Sequence, residues 1–285
     1  MMNRINRFQT PDEVTDVIKK FISKFERSEE KEKMQTGVNY YRSNNDEIMA
    51  RKFYTYAEDE QTGEPIEMID PYKANNKMPH GYFKILVDQK INYLLGNPIT
   101  FESEQSDTLN ELIGGNFQTT LKKVAKEASK KIRGWLQPYI DESGEFAYKK
   151  IPSEQVIPVY KPHNNDELEL VIRYYSVFTM TDEGDSVRVN RVEVWDDEQV
   201  TYYQESTADG NYYLLNEDEM EAIFGQRFSN PKFHLQKNLV LGEQTVSSEG
   251  LPWGKVPFVP LYNNDEEDYD LQPIKKFIDA IDIVK

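Results

Sequence analysis

The sequence predicts an α+β fold: N-terminal helices, then an antiparallel β-rich region, then a C-terminal helix. Three observations carry this reading. Before residue 135, apolar residues recur every three or four positions over long stretches. From Gln137 to Leu215, short β-branched and aromatic segments alternate with turn signals. From Asp270 to the last residue the helical period returns.

Thr10-Pro11-Asp12-Glu13 has the pattern of a capping box, with Thr10 as cap and Pro11 first in the helix. Val14, Val17, Ile18, Phe21, Ile22 and Phe25 follow on one face. The mixed-sign run ERSEEKEK is expected to extend or fray this helix as a solvated face. Residues 57–79, rich in Gly, Pro, Asn and charge, read as a loop or short hairpin. A second helix is expected from about His80 to Leu95, with Phe83, Leu86, Val87, Ile91, Leu94 and Leu95 on one side. Gly96-Asn97-Pro98 stops it. A third is expected from about Ser106 to Trp135, interrupted at IGGN (113–116). Its second part aligns Leu121, Val124, Ala125, Ala128, Ile132 and Trp135.

The β segments are PYIDESGEFAYKKI, QVIPVY, ELVIRYYSVFT, SVRVNRVEVWD, QVTYYQE and NYYLL. Asp141-Glu142-Ser143-Gly144, Asp182-Glu183-Gly184 and Asp209-Gly210 supply hairpin turns, so the sheet is antiparallel. Residues 216–254 read as irregular. VPFVPLYNN is a last strand, placed at an edge by its prolines. Asp270 is expected to cap the final helix, with Pro273 in its first turn. Leu271, Ile274, Phe277, Ile278, Ile281 and Val284 then form one broad face. No Gly, Asn or Pro closes this helix before the sequence stops.

The 34 Lys and Arg against 50 Asp and Glu give a formal net charge of −16 over 285 residues. A general nucleic-acid or membrane binder should be basic, so both classes are disfavoured. A surface past which a polyanion slides without being gripped stays compatible. With 18 Tyr, 14 Phe and 3 Trp this is no disordered acidic tail. There is no cysteine, which excludes disulfides, thiolate metal sites and Cys nucleophiles. MMNRINRFQTPDEV lacks the apolar run of a signal peptide, and no window approaches a membrane span. The expectation is a soluble, folded, acidic protein.

Candidate chemistry is sparse. Three His, no phosphate-binding glycine loop and no nucleophile motif leave no catalytic constellation, and no cofactor is expected. NNDEEDYD (263–270) is rich in carboxylates but lacks the spaced register of a calcium loop, so it reads as a solvated loop. DESGE reads as a hairpin turn. A carboxylate pair for glycoside hydrolysis depends on spatial separation and stays open. The one departure from the acidic background is LKKVAKEASKKIRGW. Lys122, Lys123, Lys126, Lys130 and Arg133 fall opposite the apolar face of that helix. They are either a solvated face or a positive stripe toward an acidic neighbouring subunit or DNA phosphates, with Lys123, Lys126, Lys130 and Arg133 as the candidate contacts.

Four segments are more specific than composition: YYRSNNDEIMARK (40–52), ANNKMPHGYFKILVDQKINYLLGNPITF (74–101), YIDESGEFAYKKIPSEQVIPVY (139–160) and WGKVPFVPLYNNDEEDYDLQPIKKFIDAIDIV (253–284). In this order they resemble the portal proteins of tailed bacteriophages, of the branch typical of long-tailed phages of Gram-positive hosts. The resemblance implies a homo-oligomeric ring, usually of twelve subunits, at one capsid vertex. DNA is packaged and ejected through it without sequence-specific binding. Terminase, capsid and head-completion proteins are the implied partners, with no membrane involved, and the virion and host cytoplasm the implied locations. In family order the segments belong to the peripheral wing. The implied division is an N-terminal helical arm (1–56), a helical part of the wing (57–135), a β-rich part (136–264) and the start of a stem helix (265–285). Clip, returning stem helix and crown have no counterpart in this sequence, so a wing fragment without catalysis is expected.

An acidic carboxylate-dependent hydrolase and a non-viral adaptor docking through its C-terminal helix are the rival readings. A helix of about fifteen residues is marginal alone in water. Ile274, Phe277, Ile278, Ile281 and Val284 are therefore expected to fold back on the wing or to meet another copy of the chain.

Overall fold

The computed structural model describes residues 11–52, 54–58, 62–70, 76–102, 104–141, 144–180, 184–241 and 244–284. The capping role expected of Thr10, and Glu142, Ser143, Asp182 and Glu183 of the turns, lie outside the described residues.

Helix α1 (Pro11–Glu26) turns Ile18 and Phe25 inward, at the spacing the sequence requires. The run ERSEEKEK neither extends nor frays it. Ser28 caps a new helix, α2 (Glu29–Tyr41), and its Oγ accepts the N–H of Lys31 at 3.2 Å. Glu29, Glu30 and Glu32 then fill a first turn where the helix dipole favours negative charge. After α3 (Asp46–Ala50) comes an antiparallel hairpin of β1 (Tyr54–Glu58) and β2 (Pro65–Ile69), the short hairpin expected near residues 57–79. The two-residue β3 (Asn76–Lys77) leads to α4 (Tyr82–Leu94), which buries Phe83, Val87 and Ile91. Leu86 and Leu94, expected on the same side, are exposed.

The interruption at IGGN separates α5 (Ser106–Ile113) from α6 (Phe117–Lys131). The expected helix to Trp135 is too long by one turn. Ile132 takes φ 79°, an unusual conformation for a β-branched residue, and reverses the chain. Arg133 already begins β4 (Arg133–Ile140), so the β region starts before Gln137. Gly134 makes this possible: a Cβ there would stand 2.2 Å from the carbonyl oxygen of Val124.

Two sheets follow. β4 pairs with β5 (Phe146–Ile151) on one side and with β14 (Val259–Tyr262) on the other, which puts the proline-bearing β14 at an edge. The larger sheet runs β10 (Tyr212–Leu214), β9 (Gln199–Glu205), β8 (Ser186–Trp195), β7 (Asn164–Met180), β6 (Val156–Lys161), all antiparallel. Residues 216–254 are not irregular. They contain α7 (Glu217–Phe224), with a complete capping box between Asn216 and Glu219, and β11 (Lys232–Phe233) on β9. The hairpin of β12 (Leu235–Leu241) and β13 (Gln244–Leu251) completes the stretch.

Strand alternation divides the core. Ile157, Leu170, Ile172, Val192 and Val194 face Ile18, Phe25 and Met34 of α1 and α2. Val156 and Val171, on the opposite face, meet Trp135, Ile151 and Phe258 from the smaller sheet's side. Both faces of β7 are covered, which is why its centre reads Leu-Val-Ile without polar breaks. A third cluster joins Tyr40, the inner face of α4, Ile132, Leu271 and Ile278. Gly37 lets α2 approach α6: a Cβ there would lie 2.0 Å from the carbonyl oxygen of Lys130.

The C-terminal helix differs from expectation. α8 (Lys275–Asp282) starts after Pro273, and Asp270 does not cap it. The Asp270 carboxylate instead accepts from Lys90 Nζ at 2.8 and 3.0 Å and from Asn263 Nδ2 at 2.9 Å. Val284 is not on the helix; it lies in β15 (Ile283–Val284), paired with β3.

Candidate functional site

The basic segment of α6 turns inward. Glu127 is 5% exposed and lies between Lys130 at 3.0 Å, Lys150 at 3.5 Å and Lys131. Burial pushes its carboxyl pKa up, but the charges of Lys131 and Lys130 prevail and hold it at about 2. Lys131 also reaches Glu154 at 2.6 Å, and Lys130 lies over the Tyr41 ring. Lys126 pairs with Asp88 at 2.7 Å, and the Tyr41 hydroxyl donates to the same carboxylate at 3.0 Å.

Arg133 is not on the helix. It is buried in β4, pairs with Glu30 of α2 and donates to Tyr160. An exposed stripe of Lys123, Lys126, Lys130 and Arg133 therefore does not form: Lys123 alone is exposed without a charged partner among the described residues. Lys122 is half-buried.

A basic stripe that the sequence reading missed runs along α1 into the turn that follows it. Lys20, Lys24 and Arg27 are exposed and make no ion pair among the described residues. The signal was present as spacing of four and three on the polar side of an already recognised helix.

The apolar face of the last helix divides. Ile278 is buried and Ile274 packs against the same cluster, so both fold back onto α4 and α2. Phe277 is 72% exposed and Ile281 48%. Around them the polar contacts are internal: Asp279 accepts the Tyr40 hydroxyl, and the fully buried Asp282 accepts from Asn45 and from the backbone N–H of His80 at 2.9 Å. Bonding to the Asp279 carboxylate acts with burial on Tyr40. Burial first, then that bond, raises its pKa to about 12.

Other large apolar side chains point outward. Tyr82, Ile85, Leu86, Tyr93 and Leu94 form the outer side of α4. On the β1–β2 hairpin Tyr54, Tyr56, Ile66 and Met68 are exposed, and β2 is exposed over its whole length. A two-stranded hairpin is at best marginal alone in water. The acidic loop 263–270 holds itself through Asn263, Asn264 and Asp270, with Asp265, Glu266 and Glu267 exposed. Among the described residues no cluster of His, Asp and Glu has metal-binding geometry, and no helix is long and apolar enough to cross a membrane.

A family profile described as phage portal protein, SPP1 Gp6-like, matches residues 21–284. The chain belongs to this portal protein family. Among its relatives, the portal protein of Bacillus phage SPP1 is 33% identical over 256 residues, covering 89% of this chain and 45% of the relative. The portal protein of Clostridium phage phiCD119 is 28% identical over 274 residues, covering 90% of this chain and 54% of the relative. The chain spans about half the length of these curated relatives. Portal family membership accounts for the order of the four segments that carried the resemblance.

Proposed function

We propose that this chain forms the wing and the first part of the stem of a phage portal, the ring at the capsid vertex through which DNA is packaged and ejected. The family match across residues 21–284 carries this reading. In it, residues 1–56 are the helical arm, 57–135 and 136–264 the helical and β-rich parts of the wing, and 265–285 the entry to the stem. The net charge of −16 fits a conduit that repels phosphates instead of gripping them.

Copies of the chain meet through the outward apolar side chains of α4, the β1–β2 hairpin, Phe277 and Ile281. Burying a side chain of this size contributes about 1.5–3 kcal/mol, and several together outweigh the ordering cost of association. Lys123 and the α1 stripe are placed for acidic neighbours or passing phosphates. Terminase, capsid and head-completion proteins are the other partners, with assembly in the host cytoplasm and residence in the virion. The subunit performs no chemistry of its own.

Negative-stain imaging of the purified chain across a concentration series tests this. Arcs or rings that grow with concentration are expected. Strictly monomeric particles at the highest accessible concentration, or nucleotide hydrolysis abolished by a single substitution in the chain, would contradict it.

A further inference from the structure

Between the two sheets lies a cleft of about 620 Å³, a size typical of small-molecule sites. Its walls follow from strand register. Gln137 stands opposite Lys149 in the β4–β5 pair, so both side chains leave the same face. On the facing sheet Arg173, Glu193 and Tyr202 form one cross-strand row.

The charges in this cleft are unevenly matched. Glu193 is fully engaged, accepting from Arg173 Nη1 at 2.9 and 3.1 Å, from Tyr175 at 2.9 Å and from Trp195 Nε1 at 2.9 Å. Asp141 at the rim accepts the N–H of Glu145 in its own turn. Lys149 and Lys232 line the cleft with no ion-pair partner among the described residues. Lys149 rests over the Tyr139 ring at 5.1 Å and Lys232 over Phe228 at 4.2 Å. Burial lowers the pKa of both ammonium groups, and for Lys149 the charge of Glu193 offsets only part of this.

The remaining walls are flat and aromatic. Trp195 stacks on His234 with centroids 5.7 Å apart, and Tyr202 lies 5.2 Å from Phe224. The floor is Gln137. It has no accessible surface, and neither its amide nitrogen nor its oxygen has a hydrogen-bond partner. A buried polar group left so is destabilising.

We propose that this cleft binds a planar anion of the mononucleotide class: a base seated among Trp195, Tyr202 and Phe228, and its phosphate on Lys149 and Lys232. The site binds without turnover. Base stacking on aromatic side chains and charge-assisted bonds to phosphate supply the affinity.

Trp195 and Trp253 line the cleft and report occupancy by fluorescence. The probes are AMP, CMP, adenosine and inorganic phosphate. Saturable quenching by the mononucleotides, tighter than by adenosine or phosphate, is expected. Lys149→Gln and Lys232→Gln should each weaken AMP binding about tenfold, the effect of one lost charge-assisted bond. Their melting temperatures control for folding. Gln137→Leu removes two unpartnered polar groups from the closed floor, so it should melt no lower than the parent. Absence of saturable quenching, equal binding of phosphate alone, or lysine variants that melt and bind like the parent would each overturn the proposal.

Discussion

The C-terminal half of α6 and the outer surfaces of α4 and α8 depart from the usual division of residues in opposite directions. In α6, Glu127, Lys131 and the adjoining Arg133 are charged yet buried, and each is held by a specific counter-charge. On α4 and α8, Ile85, Leu86, Tyr93, Phe277 and Ile281 are apolar yet exposed. Buried charges specify one arrangement, because any slip leaves an unpaired ion in a poorly solvated place. Exposed apolar side chains specify nothing within the chain; they are free to be satisfied by another surface. The helix with the most lysines is therefore part of the scaffold, and the surfaces that look like core are the ones available for contact.

The largest expected effect comes from breaking the charged cluster. Glu127→Ala leaves Lys130 and Lys131 without their shared partner and should destabilise the fold by about 3–5 kcal/mol, read from urea unfolding. Stability unchanged within about 0.5 kcal/mol would show that these lysines find other partners.

The same cluster sets an acid response. The Glu127 pKa is held at about 2 against an ordinary value of 4.5. A carboxylate whose folded pKa is depressed contributes stability that is present above about pH 4.5 and lost as pH falls toward 2. The contribution is on the order of 3 kcal/mol. Thermal melts from pH 5 to pH 2 should show this loss, and Glu127→Gln should flatten that part of the profile.

A smaller effect is expected at Gly37, where α2 crosses α6. Gly37→Ala places a methyl group against the Lys130 carbonyl, 2.0 Å away before relaxation. Overpacking of this kind costs about 1–3 kcal/mol, and a melt that matches the parent would mean that the two helices separate easily.

Much of this architecture was legible because periodicity is local. The stripes of α1 and α4 and the β segments from QVIPVY to NYYLL announced themselves by spacing and residue type. The end of α6 did not. Val124, Ala128, Ile132 and Trp135 keep helical spacing across a reversal at Ile132, so the pattern continues while the backbone changes direction. Likewise, nothing local distinguishes Arg133 from a solvated helix residue, because its partner Glu30 lies 103 positions away. The division of the last helix into buried Ile278 and exposed Phe277 was hidden for a related reason. The period defines an apolar face, but tertiary packing decides how much of its width is covered.

Sedimentation velocity of the parent chain beside a variant carrying Ile85→Ser, Tyr56→Ser, Phe277→Ser and Ile281→Ser most directly tests whether the exposed apolar surface is the contact surface. All four positions are exposed, so the variant should keep the parent's circular dichroism and melt. The parent should sediment as species that grow with concentration, and the variant as a monomer over the same range. Equal association of the two chains, with both folds intact, would contradict the account and place the contacts elsewhere.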